Sequence, residues 1–237
     1  MGNFATVVTD LSVKRGFKTV ISGLNFEINR GEIVALVGAS GQGKTTLLHA
    51  LAGLASISGG SIKHREANSV HSALSFQEPL LLPWLTVREN IKFGFRFGSI
   101  KKHHKFAKSE LDAKVDELLK RIGISELADR KITELSGGQA QRVSIARTII
   151  VEPEILLLDE PFSALDVTAR ASLQQWLLDL QTELGLTIVL VTHDIDEAVR
   201  LGNRVLVLSN NGTELIEHNV IEGRNLSDLK QEIVYQI

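Results

Sequence analysis

Gly38, Ala39, Ser40, Gly41, Gln42, Gly43, Lys44 and Thr45 fit the pattern G-x-x-x-x-G-K-[ST], and each residue type answers a need of phosphate binding. The glycines let successive backbone N–H groups turn inward around phosphate oxygens. A helix beginning at the end of the run adds the positive end of its dipole. Lys44 supplies a point charge for the β- and γ-phosphates. The Thr45 hydroxyl is an oxygen ligand suited to Mg²⁺, and Thr46 beside it belongs to the same nucleotide-binding set.

A second group of residues has the chemistry to act on such a nucleotide. ILLLDE at 155–160 is an apolar strand ending in two adjacent carboxylates, and ligands bind at that end of the strands in open α/β sheets. Asp159 is expected to hold Mg²⁺ through water, and Glu160 to polarise an attacking water as general base. Apolar strands ending in acids are common, and the phosphate loop upstream is what gives this one meaning. His193 ends a similar run, TIVLVTH; a neutral imidazole there either contacts the γ-phosphate and the attacking water or caps the helix that follows. Gln77 ends ALSFQ, where an uncharged amide can bind Mg²⁺ or its water while nucleotide is present and then let go.

LSGGQ at 135–139 poses a different question, because one nucleotide needs only one cradle. Ser136 is a helix N-cap type, Gly137 and Gly138 leave backbone N–H groups bare at a dipole's positive end, and Gln139 follows on the first turn. That is a second anion site. It closes a helical stretch, so within one chain it is expected to point away from the first cradle. Two copies packed head to tail would bring each LSGGQ onto the γ-phosphate held by the other.

The elements that must position these residues are legible in the periodicity. From 4 to 29 the chain alternates in the strand manner and reads as a small antiparallel sheet. From 31 onward, apolar runs ending in glycine, serine or acid alternate with helical stretches, which is the pattern of a parallel sheet flanked by helices. Between about 79 and 134 the strand signal disappears; TVRENIKFGF, SELDAKVDELLKRIG and SELADR read as helices with Thr86, Ser109 and Ser125 as candidate caps. After 204, VLVLSNNGTELIEHNVI reads as a hairpin turning at Asn210, Asn211 and Gly212, and a short helix at about 227–235 follows. The expected fold is therefore α/β: a phosphate-loop NTPase core with a mainly parallel sheet, a small N-terminal antiparallel β-subdomain and an all-helical insertion. One domain over 1–237 divides into the start of the β-subdomain (1–30), the α/β core (31–78 and 143–237) and the helical subdomain with LSGGQ (79–142).

Composition limits the alternatives. The chain has 237 residues, a formal net charge of −2 and no cysteine. Neither disulfides nor thiolate metal sites are possible, and the charge balance gives no electrostatic case for nucleic acid. No apolar run is long enough to cross a bilayer, and the N-terminus reads without a secretory signal, so a cytoplasmic chain is expected. KKHHK at 101–105 is either a solvated loop or a face for anionic lipid.

The set GASGQGKT, Gln77, LSGGQ, ILLLDE, SALD at 163–166 and His193, in this order, resembles the nucleotide-binding subunit of ATP-binding cassette (ABC) transporters over essentially the whole chain. The resemblance implies ATP and Mg²⁺ as cofactors and a dimer that closes on two nucleotides, with Asp166 touching the opposite copy. It also implies an aromatic residue stacked on adenine. VKRGFKTV offers Phe17 for that place, with Arg15 as competitor. Ala140 stands where many relatives have arginine after the signature glutamine, which removes one positive charge beside the site.

QEPLLLPWLTVREN at 77–90 carries Leu80, Leu81, Leu82 and Trp84 between prolines, either tucked under the helical insertion or shaped as a groove for a partner helix. By resemblance this is where an integral membrane permease docks. The wording of the loop is similar to importers of nitrate, sulfonates and taurine, which implies a periplasmic or extracellular solute-binding protein and a peripheral place on the cytoplasmic face of the membrane. The alternative is a soluble cassette ATPase of DNA repair or translation; those carry coiled-coil insertions or two cassettes, and this chain has neither.

Overall fold

The computed structural model describes residues 3–65, 70–96, 107–209, 212–220 and 225–237. KKHHK at 101–105 and the Asn210–Asn211 part of the hairpin turn lie outside the described residues. The chain builds two sheets. The larger has strand order β5-β6-β7-β3-β8-β9, formed by β3 (Ile33–Val37), β5 (Ser72–Ser75), β6 (Ile155–Asp159), β7 (Ile188–Val191), β8 (Arg204–Ser209) and β9 (Glu214–Asn219). Every pairing in it is parallel except the β8–β9 hairpin. The smaller has order β2-β1-β4, with β1 (Phe4–Arg15), β2 (Lys18–Asn29) and β4 (Ile57–His64) paired antiparallel.

The central strands are buried along their length, as strands covered on both faces must be. Side chains of β6 and β7 alternate between two hydrophobic clusters, while Ala35 and Val37 of β3 face a third. Ile33, Leu156, Leu158, Ile188 and Leu190 face one cluster, while Val34, Leu36, Ile155, Leu157, Val189 and Val191 face the other. The second cluster is completed by the small sheet, through Val8, Leu11, Ile21 and Ile28, and by α1 (Lys44–Leu51). The first is completed by helices α2 (Val87–Phe93), α3 (Lys108–Arg121) and α4 (Gly137–Ile149), so the helical segment shares its core with the parallel sheet. Helices α5 (Val167–Leu184), α6 (Ile195–Leu201) and α7 (Leu226–Val234) complete the chain.

Four local expectations need correction. Strand β4 lies within 31–78, the stretch expected in the α/β core, but pairs with β1 in the smaller sheet. The crossing depends on Gly60, at φ +74, where a Cβ would lie 2.2 Å from the Asp10 carbonyl oxygen. The strand before Gln77 ends at Ser75, so Gln77 lies on the loop beyond it. Helix α3 is capped at Ala107, not Ser109, with the Glu110 carboxylate accepting from the Ala107 N–H at 2.8 Å. SELADR forms only a 3₁₀ turn, Ser125–Leu127, rather than an α-helix capped by Ser125. Thr86 and Ser136 cap as expected, each in a capping box with the residue three positions on.

A candidate nucleotide site and a separate signature helix

The phosphate loop joins β3 to α1, the strand–loop–helix context that its chemistry requires. Three of its glycines take positive φ: Gly38 (φ +153), Gly41 (φ +82) and Gly43 (φ +104). Two are also held by their surroundings. A Cβ on Gly38 would meet the Leu208 carbonyl oxygen at 2.5 Å, and one on Gly43 would meet Val20 Cγ1 at 2.9 Å. The loop is thus clamped between β8 and β2. Gly212, from the far side, comes close enough that a Cβ there would lie 3.0 Å from the Gln42 carbonyl oxygen. Ser40, Gly41 and Thr45 are exposed along the rim, with Thr46 half-buried beside them.

Lys44 is 8% exposed, and its Nζ donates to the carbonyls of Gly38 (2.6 Å) and Ala39 (3.0 Å), across the mouth of the loop. Burial pushes its pKa down, while Glu160 and Asp159 push it up. The carboxylates therefore meet the lysine at the ends of β3 and β6. Asp159 is the last residue of β6, and the Thr45 hydroxyl hydrogen-bonds to it. Burial raises the Asp159 pKa, and the adjacent Glu160 charge raises it further; His49, Thr45 and Lys44 act the other way. A desolvated carboxylate hydrogen-bonded to a threonine hydroxyl is an all-oxygen donor set, and hard oxygen donors fit Mg²⁺.

Glu160 sits one residue past the strand at φ +44, a strained conformation for a side chain of its size. Its N–H still bonds to the Val191 carbonyl at 3.0 Å, and Oε2 lies 3.1 Å from His193 Nδ1. His193 does not cap the next helix: Asp194 does, accepting from Asp196 and Glu197 N–H groups. That leaves the exposed imidazole to Glu160. Gln77 Nε2 donates to Ser163 Oγ at 3.1 Å, and Ser163 Oγ donates to the Glu160 carbonyl at 2.9 Å. The structure thus gathers Lys44, Thr45, Asp159, Glu160, His193 and Gln77 into one connected group.

Sequence reasoning missed the support behind this group. Glu197, 7% exposed, accepts from Thr192 Oγ1 (2.7 Å) and Gln174 Nε2 (3.1 Å), fixing the residue before His193 to helix α5. Burial raises its pKa. No signal in the sequence distinguishes Glu197 from any other acid in a helix. Ser163 was visible as part of SALD, but its link to Gln77 was not. Val20 and Gly212 gave no sign that they shape the loop.

The other expected residues lie apart. Phe17, at the β1–β2 turn, is fully exposed, and Arg15 beside it is exposed too. Ser136 accepts from the Gln139 N–H, and the Gln139 side chain accepts from the Ser136 N–H (2.9 Å). A Cβ on Gly137 would touch only Leu165 at 3.4 Å, and one on Gly138 only Ala169 at 3.7 Å. Asp166 caps α5, its Oδ1 accepting from Thr168 and Ala169 N–H groups, and is otherwise exposed. Among the described residues no hydrogen bond or ion pair joins Ser136–Gln139 to the phosphate-loop group.

The sequence model of the ABC transporter family matches residues 21–163. Relatives include the aliphatic sulfonates import ATP-binding protein SsuB of Corynebacterium glutamicum, 43% identical over 204 residues that cover 86% of this chain and 80% of that protein. The sulfate/thiosulfate import ATP-binding protein CysA 1 of Shewanella oneidensis is 41% identical over 88% of this chain. The spermidine/putrescine import ATP-binding protein PotA of Haemophilus influenzae is 42% identical over 83%. The chain spans 57% and 54% of the length of the last two. Among solved structures, cbiO1 of Clostridium perfringens, part of the ABC transporter complex cbiONQ, superposes with a TM-score of 0.82 at 29% identity, covering 98% of this chain and 94% of that one. A dimeric ATP-binding cassette in a post-hydrolysis state, bound to ADP and Pi, superposes at 0.73 and 29%, covering 91% and 99%. A phosphate loop opposite paired acids on a parallel sheet, matched by relatives of this kind, makes the chain a nucleotide-binding member of the ABC transporter family.

Proposed function

We propose that the chain hydrolyses ATP as one half of a two-copy engine, and that the engine drives import of a small solute through separate membrane subunits. The observation that carries this is the unexplained pair Gly137–Gly138. Neither has a positive φ, and neither is crowded by its own chain, yet glycine weakens a helix by up to about 1 kcal/mol per residue relative to alanine. The demand for glycine therefore comes from outside the chain, from a group that must approach the bare N–H groups closely. A γ-phosphate on the loop of a second copy is such a group.

In this reading Gly38, Ser40, Gly41, Gly43, Lys44, Thr45 and Thr46 hold the triphosphate of one copy, and Phe17 stacks on the adenine. Ser136, Gly137, Gly138, Gln139 and Asp166 of the other copy close over it. Thr45, Asp159 and Gln77 hold Mg²⁺, which supplies positive charge to the phosphate oxygens. Glu160 takes the proton of the attacking water, and His193, held by Glu160, steadies the γ-phosphate side of the site.

In this reading the permease docks at 77–90. Leu80 and Trp84 are exposed there, with Phe76 just before them, and Leu80 is held at φ +43. Arg147 and Ser144 on α4 brace this loop by donating to the carbonyls of Leu80 and Pro79. One helix thus carries the signature at its start and the docking loop at its end. Sulfonates or similar anions are the favoured solutes, because the sulfonate relative is matched over most of both chains. A solute-binding protein outside the membrane, a peripheral cytoplasmic location and no role for nucleic acid complete the proposal.

The test is the solution mass of Glu160→Gln with and without ATP and Mg²⁺. A shift from monomer to dimer only with nucleotide supports the shared site. A monomer under both conditions, at concentrations where ATP is bound, rejects self-pairing as the basis of the engine.

A further inference from the structure

Away from the nucleotide residues, three ligand-type side chains meet at the seam between the two sheets. His64 is the last residue of β4, His71 immediately precedes β5, and Glu154 immediately precedes β6. Parallel pairing at the start of β5 and β6 holds the last two together: the Glu154 N–H donates to the Val70 carbonyl (2.8 Å) and the Ile155 N–H to the His71 carbonyl (3.0 Å). One ligand atom from each of the three residues lies within 4.8 Å of the other two.

We propose that His64, His71 and Glu154 bind a divalent transition ion of the zinc class, tying the antiparallel sheet to the edge of the parallel one. Two imidazoles and one carboxylate form a donor set that Zn²⁺ takes with a water in the fourth position. It differs in kind from the all-oxygen set at Thr45, Asp159 and Gln77, so the two sites select different ions.

The surroundings suit the assignment. Thr6, fully buried, has its hydroxyl 2.8 Å from His64 Nδ1, which fixes that ring and leaves Nε2 as the atom to face an ion. As they stand the two rings stack, with centroids 4.5 Å apart and planes 5° from parallel, so their in-plane lone pairs do not converge and His71 must turn out of the stack to ligate. His71 Nδ1 is buried without a hydrogen-bond partner; its distance of 3.8 Å to Glu154 Oε2 is too long for one. Buried polar atoms are as a rule satisfied, and an ion between these atoms satisfies this one. A tetrahedral ion sets its ligand atoms about 3.3 Å apart. His71, with 39% of its side chain exposed, has room to turn and close that gap, while the Glu154 side chain at 4% does not need to move.

The proposal is independent of the ATPase reading and is tested on the whole chain by calorimetric titration with Zn²⁺ in the presence of Mg²⁺, with the visible spectrum of bound Co²⁺ reporting its geometry. The expected result is one equivalent of Zn²⁺ and a four-coordinate Co²⁺ spectrum. Glu154→Gln keeps the side-chain shape and His71→Phe keeps an aromatic ring of similar size; each is expected to weaken Zn²⁺ by at least about tenfold. His193→Ala, which removes an exposed imidazole at the nucleotide site, is expected to leave Zn²⁺ affinity unchanged. No saturable binding by the native chain, binding that survives both seam substitutions, or binding lost in His193→Ala overturns the assignment.

Discussion

The chain carries two glycine-rich turns, each opening a helix, and they differ in who requires the glycine. In the phosphate loop the requirement is internal: Gly38 and Gly43 have positive φ, and any Cβ would collide with Leu208 or Val20. In the signature turn, Gly137 and Gly138 have ordinary helical backbones and room for a methyl group. The first turn is finished by its own fold, and the proposed function leaves the second to be completed by the other copy. The same contrast holds for the polar groups. Lys44 and Asp159 act on each other's charge states, and the Glu160 charge acts on both, whereas among the described residues the side chains of Ser136 and Gln139 bond only to each other's backbone N–H groups. A turn whose sequence exceeds its own structural needs points to a partner.

The largest expected effect is at the finished site. Glu160→Gln should lower ATP hydrolysis by about 10² to 10⁴-fold with nucleotide binding retained, since general-base catalysis contributes that much. Steady-state turnover near the native rate would place the base on another residue. Ser136→Arg should lower hydrolysis by about a hundredfold or more, because it blocks donors aimed at developing charge, while ATP affinity of the monomer stays native. Equal loss of monomer affinity, measured by equilibrium titration at low protein concentration, would remove the distinction between the two turns.

A smaller, purely structural pair sharpens it. Gly43→Ala should destabilise the fold by roughly 1–3 kcal/mol, the strain of placing a side chain in a left-handed backbone. Gly137→Ala should leave stability within about 1 kcal/mol of native or raise it, yet slow hydrolysis. Denaturant melts of both variants measure the difference; equal destabilisation would show that the signature glycines serve their own fold after all.

The smallest effect concerns Asp159. Its folded-state pKa is raised, first by burial, so the folded chain binds that proton more tightly than the unfolded chain does. The corresponding stability is present below the ordinary carboxylate range and is lost as pH rises through the folded pKa. Asp159→Asn should therefore melt slightly higher than the native chain at neutral pH without nucleotide, and the gap should close on acidification toward about pH 4. A gap that widens on acidification would mean the carboxylate is stabilised by its neighbours rather than penalised by burial.

How much of this was legible beforehand depended on whether the signal was local. The phosphate-loop pattern, the acids at the end of β6 and the N-cap at Ser136 depend on residues within a few positions of one another, so residue type and spacing pointed to them. The caps of α2 and α4 followed for the same reason. Ser109 and Ser125 failed as caps because Glu110 satisfied the Ala107 N–H instead, and because the chain at 125–127 makes only a single tight turn. Strand β4 failed because its allegiance is decided by a glycine crossing β1 at Asp10, some fifty residues away in sequence.

By itself, then, the sequence determined which residue types stand in which order: a glycine-rich loop with its lysine, paired carboxylates after an apolar run, and a second serine–glycine–glycine turn, the parts to which the proposed function gives its roles. Only the tertiary structure decided which parts meet. It brought Gln77 to Ser163, His193 to Glu160 and Thr45 to Asp159, set Glu197 behind them, and laid β4 beside β1 so that His64 reaches His71 and Glu154. The physical reason is that residue type and short spacing encode what a segment can bind. Long-range pairing is set by the summed burial of two sheet faces, which no single segment contains.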